Sequence, residues 1–216
     1  MNEPVTRTVR DSYDRVAEEY ARRLFDELRH KPLDRELLNR FAQQVKNGSE
    51  VCDMGCGPGQ VARYLKDTGI QKVFGLDLSS GMLGQARKLN PDIDFREGNM
   101  LALDIPDQSL AGIAAFYAIV NFPPESLPTV FAEMQRVLEP GGLLLIAFHV
   151  GDEVVEENDL WGIPISMKFR FLQPATIRRQ LETAGLVVEE VIERDPYPDV
   201  EYPSRRAYIF AQRPAL

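Results

Sequence analysis

The sequence predicts an α/β fold built on a doubly wound, mainly parallel sheet. Three observations predict it. Glu50 to Gln60 reads as a short apolar strand ending at Asp53, then glycines at every second position (Gly55, Gly57, Gly59), then the start of a helix. Lys72 to Leu78 is almost continuously apolar, as a strand covered on both faces must be. Strand-like and helix-like stretches then alternate along the rest of the chain.

Residues 11–28 read as an amphipathic helix, with Tyr13, Val16, Ala17, Tyr20, Leu24 and Leu28 at three- and four-residue spacing. A second helix is expected from Pro32 to Val45, with Leu33, Leu37, Leu38 and Phe41 on its buried side. Asn47-Gly48-Ser49 closes it and feeds the first strand. The helix after the glycines should run over 59–68. Asp77 ends the second strand, and Ser79 and Ser80 can cap the helix over 80–89. Alternation at Ile93, Phe95 and Glu97 marks strand three, and Gly98-Asn99-Met100 ends it. Strand four is expected over 109–117, a helix over 125–138, strand five over 143–149, a helix from Gln173 to Ala184, and strands over 186–192 and 206–212. Residues 150–173, acidic first and aromatic later, fit this pattern poorly and read as an insertion.

Composition narrows the function. The chain has 216 residues, 44% hydrophobic and 27% charged, enough for one domain with a substantial core. Its net charge of −8 disfavours tight binding to nucleic acid, which needs a basic face. No apolar run approaches the length of a membrane span, and Met1 to Arg10 has no signal-peptide core, so the expected location is cytoplasmic. Two cysteines, Cys52 and Cys56, make no disulfide framework; without further ligands nearby they read as small buried residues rather than metal ligands.

The glycine turn carries the chemistry. A dinucleotide fold wants G-x-G-x-x-G with pyrophosphate on the helix N-terminus, but here Gln60 occupies the third glycine's place. Asp53 would oppose a pyrophosphate and suit a ligand carrying positive charge. Acid, apolar residue and Gly-x-Gly-x-Gly together resemble motif I of the class I S-adenosylmethionine-dependent methyltransferases. Tyr-Asp-Arg-Val-Ala-Glu-Glu-Tyr (13–20), Arg-Val-Leu-Glu-Pro-Gly-Gly (136–142) and the Ala-Gly-Leu at 184–186 extend the resemblance over nearly the whole chain.

The resemblance implies a Rossmann-like seven-stranded sheet of order 3-2-1-4-5-7-6 with an antiparallel last strand, a lid of N-terminal helices over 1–46, a core over 47–216 and an acceptor lid at 150–173. It implies S-adenosyl-L-methionine as cofactor. The expected cofactor residues are Tyr13 and Tyr20 at the methionine end and Asp53, Gly55, Gly57 and Gly59 in the turn. Asp77 would meet the ribose hydroxyls, and Leu78, Met82, Asn99 and Met100 the adenine; Tyr117 completes the set. Asn99 stands where the family often has an acid, and Ala111 replaces the aspartate that usually begins strand four. Aromatic walls suit a sulfonium. His149 and Tyr117 are candidate bases, and Trp161 and Phe169 candidate walls for a small-molecule acceptor. A protein or RNA methyltransferase, a cofactor-binding protein without turnover and an NAD-dependent oxidoreductase are the other readings. Oligomeric state is open. Replacing Asp77 with Ala is expected to weaken cofactor binding about 10–150-fold with little change in stability.

Overall fold

The computed structural model describes residues 3–45 and 48–215. Asn47, expected in the turn before the first strand, and the proposed boundary at 46/47 lie outside them.

Nine strands and six α-helices are described. The sheet strands are β1 (Glu50–Met54), β2 (Val73–Asp77), β3 (Asp94–Glu97), β4 (Leu110–Phe116), β5 (Leu138–His149), β8 (Val187–Arg194) and β9 (Arg206–Gln212). They lie in the order β3-β2-β1-β4-β5-β9-β8, which is 3-2-1-4-5-7-6 when only these seven are counted. All neighbours from β3 to β5 are parallel; β9 runs antiparallel to both β5 and β8. The winding reverses between β1 and β4, and a ligand cleft is expected beyond the strand ends there.

Both faces are covered. One core packs α5 (Leu127–Val137) and α6 (Pro174–Thr183) on Met54, Ile113 and Ile146; the other packs α2 (Pro32–Gln44), α3 (Gln60–Asp67) and α4 (Ser80–Leu89) on Val51, Ala114 and Leu145. Phe41, Leu65, Phe131 and Phe210 are fully enclosed. Each buried apolar side chain of this size contributes roughly 1.5–3 kcal/mol, so the alternation of faces is held firmly.

Three expectations change in the structure. The first helix, α1, spans Glu3–Leu24 rather than 11–28, and a separate 3-10 turn covers Glu27–His30. Strand β5 starts at Leu138, because Leu110 pairs with Leu138 before the register shifts around the Gly141-Gly142 turn. Residues 150–173 are a β-hairpin of β6 (Val154–Leu160) and β7 (Ile163–Arg170). Trp161 and Gly162 form its two-residue loop with φ of 56° and 84°, the left-handed pair that matches strand twist.

The hairpin and α1 form one layer. Val16 and Ala17 of α1, Met82 of α4 and Ile165 and Met167 of β7 make a third buried cluster. Ser12 Oγ accepts from the Ser166 N–H at 3.1 Å. Asp14 Oδ1 accepts from Gly81 N–H at 2.8 Å and Ser79 Oγ at 2.6 Å, fastening α1 to the first turn of α4. A Cβ on Gly81 would lie 2.9 Å from the Asp14 backbone, so the approach requires glycine there.

Candidate functional site

A cleft opens beyond the ends of β1, β2 and β4, beneath α1. Its floor is the glycine turn. Gly55 N–H and Cys56 N–H both donate to the Leu76 carbonyl, at 2.7 and 3.1 Å, which ties the turn to β2. Gly57 presents bare backbone: a Cβ built on it would have Tyr20 as its nearest neighbour, at 3.9 Å. Gly59 has φ of 86°, and a Cβ there would strike the Phe95 ring at 2.7 Å.

Two carboxylates hold this turn. Gly59 is the N-cap of α3 and offers no side chain, so Asp53 Oδ2 reaches over to accept Ala62 N–H at 2.8 Å. Burial pushes the Asp53 carboxyl up to about 7, with the Ala62 bond pulling down and the Asp77 charge pushing up. The acid thus stabilises the helix start as well as bordering the cleft. Asp77 Oδ2 accepts Gly57 N–H at 2.8 Å and its Oδ1 accepts Ser79 N–H at 2.9 Å. Burial raises its pKa too, against these backbone bonds. A carboxylate has about four acceptor sites, so capacity remains toward the cleft.

Leu78, Met82, Gly98, Asn99 and Met100 line the cleft beside Asp77. Asn99 Oδ1 accepts Leu101 N–H at 3.0 Å, so its oxygen serves the turn and its amide N–H₂ is the group left for a ligand. Ser79 Oγ accepts Met82 N–H at 3.0 Å, as a helix cap should. Overhead, the rings of Tyr13 and Tyr20 meet edge to face at 6.2 Å. The Tyr13 hydroxyl accepts from Asn121 Nδ2 at 2.9 Å, and burial pushes its pKa up to about 12. Burial raises the Tyr20 pKa as well.

Tyr117 follows β4 with φ of 56° and borders the cleft. Burial pushes its pKa up to about 12. Lys31 Nζ and the Arg206 guanidinium lie 5.3 and 5.7 Å from its ring centre. His149 stands behind it, centroids 5.1 Å apart, stacked on Phe171 at 5.2 Å. Its Nδ1 lies 2.8 Å from Ser204 Oγ, which accepts from Arg206 at 2.5 Å. Burial, with Arg206 and Lys31 nearby, pushes the His149 pKa down to about 3, a weak base.

The structure thus brings Tyr13, Tyr20, Asp53, Gly55, Gly57, Asp77, Leu78, Met82, Asn99, Met100 and Tyr117 to one cleft. Gly59 stays beneath it as a packing position. Trp161 stands behind Tyr20, rings 6.0 Å apart, with Arg23 over its face at 5.2 Å; it packs the hairpin loop on α1. Phe169 packs against the small α1–α4–β7 cluster. Glu27, Leu28, Asp34, Gln60 and Asn121 also line the cleft and were missed, while Phe116 lines it at the end of β4, a strand end expected to face the ligand. Asp34 had a visible signal: with Leu37, Leu38 and Phe41 it falls on the buried stripe of α2, an odd place for an acid.

Residues 51–142 match the model of a methyltransferase-domain family. A Mycolicibacterium smegmatis protein named "Probable S-adenosylmethionine-dependent methyltransferase" is 30% identical over 164 residues, covering 76% of this chain and 60% of its own length. Residues 51–142 carry a methyltransferase domain of the S-adenosylmethionine-dependent kind. A demethylmenaquinone methyltransferase of Renibacterium salmoninarum is 37% identical to this methyltransferase domain over 102 residues, 46% of this chain and 41% of the relative. The first two curated relatives are matched over 60% and 32% of their own lengths, so this chain spans less than two thirds of either. The structure of DhpI in complex with SAH shares the methyltransferase fold over 100% of this chain and 99% of its own, with a TM-score of 0.76 and 20% identity. No helix among the described residues is long and apolar enough to cross a membrane.

Proposed function

We propose that this protein transfers the methyl group of S-adenosyl-L-methionine to a small-molecule acceptor, with α1 and the β6–β7 hairpin as the lid. The Asp77 carboxylate carries the reading. It is anchored to the glycine turn through Gly57 N–H, yet keeps acceptor capacity at the rim of a cradle built from bare backbone. A ribose diol fits that arrangement.

The residues present fit this cofactor. Asp77 would hold the ribose, Leu78, Met82 and Met100 would flank the adenine, and the Asn99 amide would donate to a ring nitrogen. Gly55 and Gly57 would lie under the methionine part with Tyr20 above it. When bound, S-adenosylmethionine supplies an activated methyl on a sulfonium. The chain's own task is then position and exclusion of water. Tyr13 and Tyr20 offer ring faces to positive charge. The hydrogen bond from Asn121 to Tyr13 and the Asp14 bonds to α4 keep that roof in place. DhpI, of the same fold, is seen with SAH, and the Renibacterium relative is named for a small-molecule substrate, both in keeping with this reading. The net charge of −8 argues against a polyanionic acceptor.

Calorimetric titration with S-adenosylmethionine, S-adenosylhomocysteine and NADH tests the proposal. Binding of the first two is expected. Binding of NADH alone would overturn it.

A further inference from the structure

The cleft has an end that the cofactor residues leave unused. Glu27, Leu28, Asp34, Gln60, Phe116 and Tyr117 build it. Three buried polar atoms there have no hydrogen-bond partner among the described residues: Asp34 Oδ2, Gln60 Oε1 and the Tyr117 hydroxyl. Gln60 Nε2 donates to Glu27 Oε1 at 3.2 Å, which fixes the amide orientation. Asp34 Oδ2 and Gln60 Oε1 are therefore acceptors in need of a donor. Glu27 is different, since its other oxygen pairs with Lys31 Nζ at 2.6 Å. A buried acceptor without a donor is costly, and a ligand that supplies one is bound in proportion.

Charge narrows the ligand further. Lys31, Arg194 and Arg206 interlock with Glu27, Asp34 and Glu201 through ion pairs of 2.6 to 3.9 Å. Three cations meet three anions, so a charged ligand would enter without a counterion. Leu28, Phe116 and Tyr117 add apolar and aromatic walls suited to a flat body.

The Asp34 carboxylate is held for a task. Tyr208 O–H donates to its Oδ1 at 2.6 Å and Arg194 at 3.0 Å, which locks the plane and leaves Oδ2 alone on the other side. Burial raises its pKa, while Tyr208, Lys31 and Arg194 pull it back, so it is a stronger base than a solvated carboxylate. The alternatives are weaker: His149 is a poor base and Tyr117 holds its proton.

We propose that this end takes an uncharged hydroxyl compound with a flat apolar body, of the phenol class, and that Asp34 Oδ2 accepts the proton of the hydroxyl being methylated. This rests on the methyltransferase reading above. The acceptor O–H gives its proton to Asp34. An oxygen electron pair forms the new O–CH₃ bond as the carbon–sulfur bond breaks, and that pair leaves on sulfur. The protonated Asp34 releases its proton to solvent when the product departs. Gln60 Oε1 accepts from a second hydroxyl where one is present.

The test uses three ring compounds of similar size: catechol, benzoate and benzylamine. Each is titrated calorimetrically into the protein loaded with S-adenosylhomocysteine, and each is incubated with S-adenosylmethionine and followed by mass spectrometry. Catechol is expected to bind at least 10-fold more tightly than the charged pair and to gain one methyl on oxygen. Asp34→Asn, which keeps an oxygen for Tyr208 and Arg194, is expected to bind S-adenosylhomocysteine as the parent does and to methylate catechol about 10²–10⁴-fold more slowly. If that variant fails to fold, the discrimination among the three compounds by the unaltered protein still decides. Equal or tighter binding of benzoate or benzylamine, no binding of catechol, or full activity of Asp34→Asn would overturn the proposal. Failure to bind S-adenosylhomocysteine at all would instead sink the methyltransferase reading on which it stands.

Discussion

Replacing Asp77 by Ala is the most informative single perturbation, because the structure gives this carboxylate two duties. It accepts Gly57 N–H at 2.8 Å and Ser79 N–H at 2.9 Å. Bonds to an ionised acceptor are worth roughly 1.5–3 kcal/mol each, less where water can replace the partner. Asp77 is only half-buried, so water replaces part of what is lost, and removing the carboxylate returns some of its desolvation cost. A net loss of about 2 kcal/mol follows, or roughly 4–8 °C in Tm for a chain of this length. The ribose bonds lost with it correspond to about 10–150-fold in S-adenosylhomocysteine affinity. The expectation from sequence alone, weaker binding with stability little changed, is therefore revised: both should fall. Thermal melts without ligand and calorimetric titration with S-adenosylhomocysteine measure the two effects separately. Asp77→Asn keeps one acceptor oxygen and should fall between parent and Ala. A melting point within 1 °C of the parent, together with affinity within twofold, would refute the reasoning.

Other substitutions probe the scaffold. Gly59→Ala adds a left-handed strain of about 1–2 kcal/mol to overpacking against Phe95 of about 1–3 kcal/mol, so urea unfolding should show a loss of about 2–5 kcal/mol. For Asp53, raised by burial to about 7, the folded state keeps a proton that the unfolded state releases near pH 4. Stability should thus decline between about pH 4 and 7, by up to about 4 kcal/mol, and level off above; Asp53→Asn should lack this decline when urea midpoints at pH 5 and 8 are compared. Trp161→Ala removes the ring contact with Tyr20 and the Arg23 cation over its face, for about 1–2 kcal/mol. Its signature should be faster proteolytic cutting within α1; cutting at the parent rate would show that the hairpin loop does not hold that helix.

The fold was legible because its signals are local and repeated. Gly55, Gly57 and Gly59 after an apolar strand leave few alternatives, and the apolar run from Val73 to Leu76 says that both sheet faces are covered. That the residues proposed for the cofactor would share one cleft was legible for the same reason, since most of them sit at strand ends and helix starts. The end proposed for the acceptor was not, Tyr117 apart. It is assembled from Glu27, Asp34, Gln60 and Tyr117, which come from four places in the chain and meet only through the sheet order. Even so, Asp34 on the apolar stripe of α2 was a readable anomaly. The hairpin was readable as well: Ile163, Ile165, Met167 and Phe169 alternate with Pro164, Ser166, Lys168 and Arg170. The aromatic content drew attention to Trp161 as a ligand wall, whereas a large residue before glycine in a two-residue loop has its own conformational role. The double duties of Asp53 and Asp77 had no signal at all, because a helix whose N-cap is glycine does not announce which distant side chain will serve it.

The fastening of α1 to α4 puts a clock on the molecule. In the proposed seating, a nucleoside between Asp77 and Tyr20 would have α1 as its ceiling, and its arrival and departure would wait for Asp14 to let go of Gly81 and Ser79. Spent cofactor would then leave at the pace of a helix lifting rather than at the pace of diffusion. Weakening the latch by Asp14→Asn should shorten the residence time of S-adenosylhomocysteine more than it slows its arrival, and stopped-flow measurement of the two rates would read that asymmetry directly.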